Sequence, residues 1–134
     1  MEKATSEQSQ ILGNVNVNFD KKKAYDELYQ AEKAYKNASS SNSAAWSRCK
    51  KLQAKLREAI AGEYVTESLR TEIEKAGKRH DITSERKSKA KIAKSEAYIY
   101  YHTQGQARTR AEQIAYLEKY QEEIRAYIAK ESGN

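Results

Sequence analysis

Apolar residues keep helical spacing over three stretches of this chain. Ala24, Leu28, Ala31, Tyr35 and Ala38 recur at intervals of four and three, as do Ala45, Cys49, Leu52, Leu56 and Ala59, and again Ile114, Leu117, Gln121, Ile124 and Ile128. Such spacing places each set on one stripe of an α-helix. The first stripe predicts a helix from an Asp20 cap to about Ala38, and the second a helix from Ala44 to Ala61, widened by Trp46 and Ile60, with Gly62 as its C-cap. The intervening Ser39-Ser40-Ser41-Asn42-Ser43 run reads as a loop whose last serine caps the second helix. A loop that short folds the two helices back as an antiparallel hairpin.

Further on, Thr66 caps a short helix that carries Leu69, Ile73 and Ala76 and ends at Gly77, and the segment GKRHDITSE reads as a turn. Thr83 or Ser84 then opens a basic helix, His102 to Gln106 offers a break, and a last helix of about 24 residues follows from Ala107. The N-terminal segment differs. Val15, Val17 and Phe19 alternate with asparagines, the period of a strand, and a lone strand needs a neighbour, for which Tyr98 to His102 is a candidate. The expected fold is therefore all-α, a bundle of four to five helices with an antiparallel N-terminal hairpin and a long C-terminal helix. Residues 1–19 form a polar, extended arm or short strand, and residues 20–134 a single helical domain.

Composition narrows the kind of core. Leu, Ile, Val and Phe supply only 19 of 134 residues, against 19 alanines, 10 tyrosines and no proline. Alanine favours helix and lets helices approach closely, while tyrosine adds apolar area with a polar tip. Long helices with narrow seams follow, of the kind that a second copy or another partner completes. Cys49, the single cysteine, falls on an apolar stripe, where it acts as a small hydrophobe.

Charge adds a surface. Lys and Arg number 25 against 19 Asp and Glu, a net +6, which favours acidic partners, whether nucleic acid, an anionic membrane or an acidic protein surface, without choosing among them. The excess is densest in KRHDITSERKSKAKIAKSEAYIYY, residues 78–101. As a helix it places Lys87, Lys91, Lys94 and Tyr98 on one face, with Arg86 and Lys89 beside them. Ammonium groups displace condensed counterions from phosphate, and exposed rings such as Tyr98 and Tyr101 can stack on bases. Arg108 and Arg110 extend the candidate set, because a first helical turn offers free amide donors beside them. Lys21 to Lys23 in another first turn oppose the helix dipole in a way that an external anion would relieve. Against all of this stands the plainer use of lysine, a solvated helix face.

Chemistry is absent from the pattern. Two distant histidines and one cysteine make no metal set, no nucleotide-binding loop or hydrolase motif occurs, and five glycines leave little for a phosphate cradle. No catalytic residue, metal or cofactor is expected. Nine residues separate the third helix from the basic one, too many for a helix-turn-helix DNA reader. No stretch approaches a bilayer span and the N-terminus lacks a signal-peptide pattern, so a cytoplasmic location without membrane association is expected.

The leading expectation is a small helical accessory protein that contacts nucleic-acid backbone phosphate with low sequence specificity. The alternatives are a protein-binding adaptor or inhibitor, such as a phage-encoded blocker of a nucleic-acid-processing machine, and a structural oligomer. In the last, Ile114, Leu117, Gln121, Ile124 and Ile128 form the interface, with Gln121 fixing register.

Overall fold

A computed structural model describes residues 18–133. Among them are three helices and no strand: α1, Lys21–Ala61; α2, Glu67–His102; and α3, Arg110–Gly133. The all-α expectation holds, with fewer and longer helices than expected. The Val15 and Val17 alternation lies outside the described residues. Tyr98 to His102, its candidate strand partner, is the last stretch of α2.

Each helix starts at a side-chain cap. The Lys23 amide donates to Asp20 Oδ1 at 3.1 Å, that of Leu69 to Thr66 Oγ1 at 3.1 Å, and that of Glu112 to Thr109 Oγ1 at 3.1 Å. α1 and α2 also end alike. The Tyr64 amide donates to the Ala59 carbonyl and that of Glu63 to Ile60, while the amides of Gly105 and Gln104 donate to Tyr100 and Tyr101. This is the Schellman arrangement, and its left-handed residues are Glu63 and Gln104, at φ 57° and 52°. Gly62, expected as the C-cap glycine, sits one residue before the left-handed position.

Two expected breaks are continuous helix. The Ser39 to Ser43 run lies inside α1, so the expected hairpin between residues 20–38 and 44–61 does not form. Serine lowers helix propensity by only a fraction of 1 kcal/mol, and no proline forces a stop. What decides is phase: Asn42 lies four residues past Ala38 and three before Ala45, joining the two stripes into one. Likewise Gly77 and the GKRHDITSE segment lie inside α2, and Thr83, expected as a cap, is 1% exposed within it. The stripe of Leu69, Ile73 and Ala76 simply continues through His80, Thr83, Lys87 and Ala90, all buried or half-buried.

The helices contribute to two compact units, one from Met1–Gln30 with Lys94–Asn134, the other Ala31–Ala93. In the Ala31–Ala93 unit the chain does form an antiparallel hairpin, between α1 and α2 through the Gly62 to Thr66 turn. Asn42 meets Thr83, and one heptad further along α1, Cys49 meets Ala76, one heptad back along α2. Cys49 is half-buried there, its Sγ donating to the Ala76 carbonyl at 3.4 Å. In the same unit Trp46 and Ile60 are 45% and 60% exposed, so they do not widen the seam. In the other unit, Phe19 packs edge-on against Tyr100 and Tyr25 against Tyr101. Thr103 Oγ1 donates to the Ile99 carbonyl at 2.7 Å and accepts from the Ala107 amide at 3.0 Å, tying down the turn before α3. Among the described residues nine apolar side chains are buried and six of them are alanine, so close helix approach, rather than bulk, makes the core.

Candidate nucleic-acid interface

Charge divides unequally between the two units. Ala31–Ala93 holds 15 Lys and Arg against 8 Asp and Glu, a net +7, while the remaining residues hold 10 against 11, a net −1. The chain's whole positive excess thus belongs to the α1/α2 hairpin unit.

Heptad phase sorts those charges. On one flank of the seam Arg48 on α1 and Lys75 and Arg79 on α2 surround a depression of about 280 Å³. Its floor is Ala45 and Ala76, each 8% exposed, and Glu72 is the single carboxylate at its rim. One small seam residue from each helix, with no bulky side chain above it, leaves this trough. Among the described residues Arg48, Lys75 and Arg79 form no ion pair, in contrast to Lys78 with Glu74 and Lys89 with Glu85, which pair along the helix at 3.3 and 3.1 Å. On the other flank, Lys50 Nζ lies 5.3 Å over the ring of Trp46, and His80 packs 5.2 Å from it.

The sequence-derived candidates scatter. Arg86, Lys89 and Lys91 are exposed on the Ala31–Ala93 unit, whereas Lys87 is half-buried, in phase with the α2 seam. Lys94 is half-buried in the other unit. There, Tyr98 and Tyr101 flank His102 at ring distances of 4.2 and 5.1 Å, and Tyr98 is 51% exposed. Arg108 Nη1 pairs with Glu27 Oε1 at 3.0 Å and its guanidinium stacks 3.9 Å from the Tyr100 ring, so its charge is engaged within the unit. Arg110 Nη1 donates to Gln113 Oε1 at 2.7 Å. Lys21 lines a second depression, of about 460 Å³, with Phe19, Tyr101, His102 and Gln104.

Sequence reasoning named neither Lys75 nor the grouping of Arg48 with Arg79. The signal was available in the phase of Asn42: once the serine run is helical, Ala45 faces the α2 seam and Arg48 flanks it.

Among the described residues no group of three His, Cys, Asp or Glu side chains could hold a metal ion, and no helix is long and apolar enough to cross a membrane. Comparison of the chain with protein-family models, with curated proteins and with solved structures gives no match.

Proposed function

We propose that this chain binds nucleic acid through backbone phosphate, using the flank of the Ala31–Ala93 hairpin that carries Arg48, Lys75 and Arg79, with Arg86 and Lys91 as further contacts. One observation carries the reading: the net +7 is confined to this unit, and among the described residues three of its cations stand without an ion pair around one open trough. A trough floored by alanine admits a phosphate group close to the backbone, and guanidinium and ammonium groups at its rim suit an anion. Among the described residues no helix carries an array of amides and arginines of the base-reading kind, which favours sequence-independent contacts. Trp46, exposed with Lys50 over its ring, offers a stacking surface of the kind that unpaired bases use. The role is a non-catalytic accessory one.

The test is fluorescence anisotropy of labelled duplex DNA, single-stranded DNA and RNA across a salt series. Binding should weaken steeply with salt, and replacing Arg48, Lys75 and Arg79 together by Gln should flatten the log–log slope by about 0.7–0.9 for each phosphate that the variant no longer neutralises. No binding at low salt, or an unchanged slope in a variant with native circular dichroism, sinks the proposal.

A further inference from the structure

α3 leaves three of its four branched aliphatic residues exposed. Its half-buried stripe is Gln113, Tyr116, Tyr120, Glu123 and Tyr127, with Ile124 at the edge, and no residue of the helix is fully buried. Ile114, Leu117 and Ile128 are instead 45, 44 and 56% exposed, with Gln121 exposed among them. These three and Ile124 are the only branched aliphatic residues in α3. A helix that spends tyrosine inward and keeps isoleucine and leucine outward, at strict three-and-four spacing, has a second seam to cover.

We infer that a second copy of this chain covers it, α3 against α3, antiparallel. In heptad terms Ile114, Gln121 and Ile128 take position a, and Leu117 and Ile124 position d. Glu118 and Arg125 then occupy the e positions, both exposed, on the side of the seam away from the tyrosine stripe. In an antiparallel pair e faces e, so Glu118 of each copy meets Arg125 of the other and symmetry makes the pair twice. The same register sets Leu117 opposite Ile128 and Gln121 opposite Ile124, with the two Gln121 amides flanking the two-fold axis, where each can bond its equivalent. A parallel pair would instead set g against e, so that Glu118 would meet Gln113 and Arg125 would meet Tyr120, and neither would find an opposite charge. Charge complementarity and self-complementary spacing thus select a second copy over an unrelated helix.

Sedimentation equilibrium of the full chain across a concentration series tests this. The expected mass is twice 15.3 kDa, falling to 15.3 kDa for Ile128→Asp with the helical circular dichroism unchanged, since the position is exposed. Glu118→Arg and Arg125→Glu singly should each weaken dimerisation by about tenfold, the equivalent of 1.4 kcal/mol, and the double variant E118R/R125E should restore it. A monomer at every concentration, a dimer indifferent to Ile128→Asp, or a double swap that fails to restore association overturns the inference.

Discussion

Asn42 joins the two predicted stripes of α1, and what it does across the seam explains why a polar residue is tolerated there. Its Oδ1 accepts from Thr83 Oγ1 at 3.1 Å and from Ser84 Oγ at 2.9 Å, and Thr83 Oγ1 also lies 3.0 Å from the His80 carbonyl. Among the described residues no buried side-chain nitrogen or oxygen lacks a partner, so this polar layer is satisfied. Asn42→Ala would leave the hydroxyl of Thr83 with the local carbonyl alone and open a small void. The expected cost is about 1–3 kcal/mol in urea unfolding, with Thr83→Val costing about 1 kcal/mol because its shape is kept. Equal, negligible effects from both would show that the layer contributes nothing. Gly77 offers the opposite case. It is helical, its φ is ordinary and a Cβ there would meet nothing within 4 Å, so Gly77→Ala should raise stability by about 0.5–1 kcal/mol. A drop in melting temperature would count against continuous helix at this point.

At the scale of the element, α1 is the sharpest departure from the sequence reading, and substitution separates loop from helix directly. Ser41 is exposed, so Ser41→Ala should stabilise by a few tenths of 1 kcal/mol, whereas Ser41→Pro should cost about 3 kcal/mol or more. A loop would accept the proline, and thermal melts of the two variants decide between the two. α3 carries a pH signature. Burial, then the neighbouring Tyr120 and Glu123, raise the pKa of Tyr116 above the usual phenol value. Below that usual value the phenol is neutral whether the chain is folded or not, and its contribution is constant. As pH rises past about 10 the unfolded chain gives up this proton first, so stability falls until the folded group ionises too. Alkaline destabilisation should therefore be shallower in Tyr116→Phe, measured by urea midpoint against pH. Identical slopes in the two proteins would remove Tyr116 as the cause.

For the whole molecule, the separation of charge is the feature with most consequence. Because the excess is confined to Ala31–Ala93, neutralising three cations elsewhere should not mimic the loss of three within it. Replacing Lys22, Lys23 and Lys130 by Gln should leave the salt slope of nucleic-acid binding near that of the native chain, while the Arg48, Lys75 and Arg79 replacement flattens it. Equal effects would point to diffuse attraction by net charge rather than to a site.

The sequence alone determined helix as the local state, since alanine, charged residues and the absence of proline leave little alternative, and it determined where α2 gives way to α3, because a glycine suits the turn after a left-handed residue. Asp20 and Thr66 were legible as caps for the same reason: one side-chain oxygen meets one backbone amide within a turn. Where breaks do not occur was decided by tertiary structure. Serine, asparagine and a lone glycine each cost a helix less than 1 kcal/mol or so, and the packing of Asn42, Thr83 and their neighbours across the seam outweighs that. The same holds for the surface. A run of lysines is visible in one dimension, but whether Lys87 points to the seam, whether Arg108 is held by Glu27, and whether Arg48 comes to lie beside Lys75 and Arg79 depend on which helix stands opposite, and no local spacing encodes that.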